Sequence, residues 1–400
     1  MKGYTATLPS GAAIIYIDRK RWLWLMSVLY PLIPLLAIWL HYASGDEIWL
    51  LLPLFLNYGL GPLIDWTIGE DRNNPPEEVV MQLSQDHYYR WLTYATVPLH
   101  FVTLIGAAWY AGTQDLSLPG FIVLAVVAGM TSGLAINTGH ELGHKNSVIE
   151  KILAKIVLAV PAYGHFTIDH NLGHHRNVST PDDPASARMG ESIYKFALRE
   201  IPGAFNEAWT IERDRLRRRD RPIWHPNNQI LQSYLLTAVL TIALIAVLGW
   251  IMVPFLLLHN MLAYWQLTSA NYIEHYGLLR QKDESGKYER CEPRHSWNSN
   301  YIFSNLVLFH LERHSDHHAN PLRRYQALRH FDDAPQLPSG YFGVYLLAYV
   351  PLLWFRVMDK RLLALPHIQG DLDKINIDPD ALPAIFLEYG QDKMVEPTLD

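Results

Sequence analysis

The sequence predicts an all-α integral membrane protein, with six transmembrane helices and a histidine-rich cytoplasmic region, on three observations. Six apolar spans, 22–41, 48–68, 91–111, 118–137, 230–249 and 252–272, alternate with strongly polar segments. The turns that close each successive pair of spans carry no Lys or Arg, whereas the opposite ends carry many. Nine of the nineteen histidines fall in four short stretches past the ends of the spans, in a chain with one cysteine.

Each span is about twenty residues, and at about 1.5 Å per residue that crosses a hydrocarbon core about 30 Å thick. Apolar helices buried in soluble cores rarely reach this length, so six of them exclude a soluble protein. The spans pair as hairpins closed by His41–Glu47, Tyr110–Pro119 and Gly249–Met252. Arg19, Lys20, Arg21, Arg72, Arg90, the segment Lys145–Arg221 and the chain after Arg280 mark the other face as cytoplasmic. Both termini are therefore expected in the cytoplasm, with the large cytoplasmic segments at 138–229 and 273–400. The first span is too long for a cleavable leader and lacks a small-residue cleavage site. The chain reads as one membrane-embedded catalytic domain over 1–400.

Between the second and third spans, Asn73-Asn-Pro-Pro76 breaks any helix. Ile152–Phe166 and Tyr341–Phe355 are shorter apolar stretches that suit interfacial helices better than crossings. The tail from Gly370 is polar and acidic, a soluble cap without chemistry. A formal charge of −6 and the lack of a basic surface exclude nucleic acid, and Arg213–Arg221 reads as a lipid-facing juxtamembrane run. Cys291 is a lone thiol, so no disulfide framework exists.

The histidine stretches are His140-Glu-Leu-Gly-His144, His170-Asn-Leu-Gly-His174-His175, His314-Ser-Asp-His317-His318 and the single His275. Imidazole binds borderline transition metals as a neutral donor. Nine donors exceed what one ion accepts, so the pattern reads as a site for two metals. On a continuous helix, His140 and His144 project from one face, as do His170 and His174, with His175 turned away by about 100°. Glu141, Asp169, Glu274 and Asp316 each neighbour a clustered histidine and are candidates to accept the far N–H of a ligating ring. His140-Glu-Leu-Gly-His144 also fits the zinc peptidase pattern, with Glu141 as general base. A peptidase needs three ligands and one zinc, so the further clusters count against it and favour a two-iron oxidant. His100 and His259 lie inside spans, where hydrogen bonding between packed helices is the ordinary role.

At these motifs the chain resembles the membrane-bound alkane monooxygenases, integral-membrane non-haem di-iron hydroxylases. The resemblance rests on Asn137-Thr-Gly-His-Glu-Leu-Gly-His-Lys145, His170-Asn-Leu-Gly-His-His-Arg176, Ala270-Asn-Tyr-Ile-Glu-His-Tyr-Gly-Leu278 and Leu308-Phe-His-Leu-Glu-Arg-His-Ser-Asp-His-His318. It extends to Asn73-Asn-Pro-Pro-Glu-Glu78, Asp183-Pro-Ala-Ser186 and His295-Ser-Trp-Asn-Ser-Asn300. The three-box histidine pattern is shared with membrane fatty-acid desaturases. The resemblance implies that His140, His144, His170, His174, His175, His275, His314, His317 and His318 hold two Fe ions. It implies terminal hydroxylation of medium-chain n-alkanes with O2, in a bacterial inner membrane, the alkane entering from the lipid. Electrons would come from rubredoxin and its NADH-dependent reductase. Rubredoxin needs paired Cys-x-x-Cys motifs, so it would dock in trans. A desaturase or hydroxylase of acyl chains or aromatic methyl groups, with the same ligands, is the alternative.

Overall fold

The computed structural model describes residues 2–8 and 10–390. The described residues are mostly helical and include one antiparallel hairpin, β1 Gly3–Thr7 and β2 Ala13–Ile17, in which Tyr4 pairs with Tyr16. The end of the acidic tail, 391–400, lies outside the described residues.

The first hairpin is α1 Leu25–Ser44 and α2 Glu47–Ile68. Gly45, in the left-handed region at φ 76°, ends α1, and Asp46 Oδ1 accepts from the Ile48 N–H to start α2. A short helix, α3 Glu77–Gln85, precedes the second hairpin of α4 His87–Thr113 and α5 Leu118–Gly143. Ser117 caps α5 through the Gly120 N–H at 3.1 Å. The first cytoplasmic segment holds α6 Val148–Val157, α7 over 166–177 and the long amphipathic α8 Ile193–Arg217. Asn228 accepts from the N–H groups of Ile230 and Leu231 to open the third hairpin, α9 Gln229–Leu248 and α10 Met252–His275. Then follow α11 Ile302–Val307, α12 His314–Ala319, α13 Tyr341–Ala348, α14 Pro351–Leu363 and α15 Leu382–Tyr389.

Among the described residues five helices, α1, α2, α4, α5 and α9, are long and apolar enough to cross a membrane, and the bent pair α13 and α14 together would make a sixth. The sixth expected span, α10, has 24 residues, but His259, Asn260, Gln266 and Asn271 dilute its apolar character. Its length matches the others; its polar residues reflect its position, packed along α5 in the middle of the bundle. A Cβ on Gly129 of α5 would collide with the backbone of His259, so glycine there sets the closest approach of the two helices. By contrast α9 exposes Leu235, Val239, Ile242 and Val247, an apolar face that lipid would cover. Pro351 bends α13 against α14 by 117°.

Two helices run on past their expected spans into the histidine stretches. The fourth span continues as helix to Gly143 and the sixth to His275, which carries metal-type donors beyond the apolar stretches. At the same end, buried Asp65 of α2 accepts from the N–H groups of Phe303 and Ser304, at 3.0 and 3.1 Å. That tie anchors the start of α11, the helix before α12.

Candidate metal centre

All nine histidines of the four stretches come together, and they separate into two sets. His140, His144, His170, His175 and His317 form one; His174, His275, His314 and His318 form the other. Within each set the donor atoms lie within 4.8 Å of one another. The Nε2 atoms converge: His140 and His317 approach to 2.9 Å, His175 to 3.2 Å from His170 and 3.1 Å from His317. In the second set His318 lies 2.8 Å from His314 and 3.3 Å from His174, and His275 lies 3.1 Å from His314.

Local backbone geometry makes this partition. Over Asp169–His174 the chain forms a π-helix, whose wider turn brings His170 and His175, five apart, to one set and sends His174 to the other. A regular α-helix would have paired His170 with His174. In α12, His314 and His318 share a set as i and i+4, and His317 turns to the first. Two successive non-glycine residues in the left-handed region, Phe309 and His310, precede this helix. His310 is held there by its Nδ1, 2.9 Å from the Tyr325 carbonyl.

The chemistry of the cluster suits cations. Burial first, and neighbouring imidazoles second, push His170, His175, His314, His317 and His318 well below the ordinary histidine value, so these rings are neutral donors. His144 Nε2 is buried and has no hydrogen-bond partner among the described residues. Converging neutral nitrogens cannot all satisfy one another, because each neutral ring offers a single N–H. A metal ion among them resolves that conflict, and the donor set fits two.

Outward-facing groups fix the ring orientations. His174 Nδ1 lies 2.9 Å from Asp183 Oδ2, and His275 Nδ1 lies 3.2 Å from the His295 carbonyl. Placing N–H on Nδ1 leaves the Nε2 lone pair facing inward. Of the four acidic neighbours expected from sequence, Glu274 reaches the cluster, 3.4 Å from His314 Nε2, and accepts from the Tyr341 hydroxyl at 2.9 Å. The other three are directed elsewhere. Glu141 pairs through Oε2 with Lys145 at 3.2 Å. Asp316 is occupied by Arg323 and the Arg329 N–H, and Asp169 is buried with Oδ1 unpaired. His100 meets Thr138 and His259 meets Ser132 across helix interfaces.

A cavity abuts the cluster at His140, His170 and His314. Its walls are mainly apolar, with Met130, Leu134, Ile136, Leu267 and Phe342 among them, and Asn57 is a polar exception in α2. Residues from α1, α2, α5 and α10 line it; none from α4 and no tryptophan does so among the described residues.

The fatty acid desaturase family matches residues 117–352. Alkane 1-monooxygenase 1 of Alcanivorax borkumensis is 54% identical over 365 residues, covering 91% of this chain and 90% of its own length. An alkane 1-monooxygenase of Ectopseudomonas oleovorans is 54% identical over 376 residues, covering 94% and 93%. Another, from Pseudomonas putida, is 52% identical over 389 residues, covering 97% and 95%. With the histidine cluster and the membrane-type helices, these similarities establish that the chain belongs to the fatty acid desaturase family and, within it, to the alkane 1-monooxygenases.

Proposed function

We propose that this protein hydroxylates the terminal methyl of medium-chain n-alkanes, with two irons held by five and four histidines. The overall reaction takes alkane, O2, two electrons and two protons to a primary alcohol and water. The observation that carries this reading is the convergence of two sets of imidazole nitrogens at the end of an apolar cavity. The irons, when bound, supply dioxygen activation and cleavage of the C–H bond.

The chain supplies placement. His140, His144, His170, His175 and His317 hold one iron; His174, His275, His314 and His318 hold the other. Asp183 and the His295 carbonyl keep the Nε2 lone pairs of His174 and His275 aimed inward. An alkane offers no hydrogen-bonding handle, so a narrow apolar cavity must position its terminal methyl. The same walls keep bulk water away from the cluster.

Electrons arrive from rubredoxin docked in trans on the cytoplasmic face, itself reduced by an NADH-dependent reductase. The alkane enters from the lipid of a bacterial inner membrane, with both termini of the chain in the cytoplasm. Iron-loaded protein given rubredoxin, its reductase, NADH, O2 and octane is expected to form 1-octanol. An alkene product, or activity with one zinc and no iron, would reject the reading.

A further inference from the structure

At its metal end the cavity is lined by two asparagines, each set about one helical turn before a clustered histidine. Asn137 precedes His140 on α5, and Asn271 precedes His275 on α10. Both amides spend their NH2 groups on the protein. Asn137 Nδ2 donates to the Leu308 carbonyl at 2.7 Å, and Asn271 Nδ2 donates to Glu200 Oε1 at 3.0 Å.

Glu200 comes from α8 and is fully buried. Its second oxygen accepts from the Thr268 hydroxyl at 2.7 Å, and its helix neighbour Arg199 pairs with Glu191 instead. Burial raises the carboxyl to about 7, against the hydrogen bonds from Thr268 and Asn271. With Oε2 occupied by the Thr268 hydroxyl, Glu200 Oε1 is an acceptor toward Asn271, so it dictates which end of the amide faces it. The carbonyl oxygen is then the polar atom left to the cavity, and the same holds for Asn137. Among the described residues neither carbonyl oxygen has a protein donor.

Two acceptors beside the metal cluster are of no use to an alkane, which has no donor, and they carry a desolvation cost when an alkane covers them. They suit a hydroxyl. We propose that Asn137 and Asn271, the latter oriented by Glu200, form a subsite that accepts the hydroxyl of the primary alcohol product. This subsite distinguishes product from substrate at the place where the product forms. Glu200 acts as a positioning residue. The inference rests on the terminal hydroxylation proposed above.

The test uses iron-loaded enzyme in lipid nanodiscs with rubredoxin, reductase and NADH. It compares inhibition of octane oxidation by 1-octanol with inhibition by octyl methyl ether, which lacks the donor. In the unaltered enzyme 1-octanol is expected to inhibit about tenfold more tightly than the ether, as one hydrogen bond to a buried acceptor warrants. Glu200→Gln lets the new amide donate to Asn271 and turn its NH2 toward the cavity. In that variant and in Asn271→Leu the alcohol–ether ratio is expected to collapse toward one. Iron content reports whether each variant is intact, and the isosteric Glu200→Gln carries the test if Asn271→Leu does not fold. An alcohol–ether ratio near one in the unaltered enzyme, or a ratio unchanged in Glu200→Gln, would overturn the proposal. Failure of the unaltered enzyme to oxidise octane would instead count against the function proposed above.

Discussion

His174 Nδ1 and Asp183 Oδ2 lie 2.9 Å apart, both side chains buried, and Asp183 also accepts from the Ser186 hydroxyl at 2.6 Å. Burial pulls His174 down, but the Asp183 carboxylate outweighs it and holds the ring above its ordinary value. In the absence of this partner the ring can rotate or take the other tautomer. Asp183→Ala is therefore expected to lower metal affinity by about 10–100-fold, measured by chelator competition, with the loss confined to one of two metal equivalents. Retention of both equivalents at unchanged affinity would contradict the assignment.

Glu141 Oε2 pairs with Lys145 at 3.2 Å, both side chains buried. Glu141→Gln is expected to keep its iron and still form 1-octanol, while losing about 3–5 kcal/mol of stability from the broken buried pair. Product analysis beside a thermal melt separates the two effects. Complete loss of turnover with full iron occupancy would restore a catalytic role to this carboxylate.

Gly129 marks the tightest crossing of α5 and α10, the two helices that carry His140 and His275. Gly129→Val must push the helices apart, at a cost of about 1–3 kcal/mol or more from overpacking. A lowered Tm together with reduced metal occupancy is expected, because the donors move with the helices. A variant as stable as the parent would mean that the crossing is looser than its geometry implies.

Asp86 starts α4 by accepting from the Tyr88 N–H at 3.0 Å, and it also accepts from Arg21 at 2.7 Å, Tyr4 at 2.7 Å and Lys2 at 2.9 Å. Burial opposes its charge, but these donors outweigh burial and hold the carboxyl well below the ordinary aspartate range. A depressed folded-state value means stability that is present above the unfolded value, about 3.9, and lost as pH falls through the folded one. Asp86→Ala is expected to cost about 1–2 kcal/mol at pH 7. In thermal melts the gap between parent and variant should narrow below about pH 4; a gap independent of pH would contradict this.

Much of the site was legible in the sequence because metal donors are a scarce residue type concentrated at span ends. His140 and His144 are carried past the apolar stretch by a continuous helix, as their spacing implied. The partition was not legible: a π-helix over Asp169–His174 leaves no periodic mark, and it exchanged His174 for His175. Adjacency in sequence misdirects at helical sites, because successive side chains diverge by about 100°. Glu141 and Asp316 therefore face away from the rings that their neighbours present. Asp183 lies nine residues beyond His174 and is brought back by a turn, which spacing alone does not announce. The hairpin of β1 and β2 escaped an all-helical reading because it is short and lies outside every span.

The most direct test of the two-set arrangement is an iron anomalous-scattering map, or equivalent metal density, from the iron-loaded protein. Two ions are expected, one bound among His140, His144, His170, His175 and His317, the other among His174, His275, His314 and His318. A single ion, or an ion that His174 shares with His170, would contradict the account.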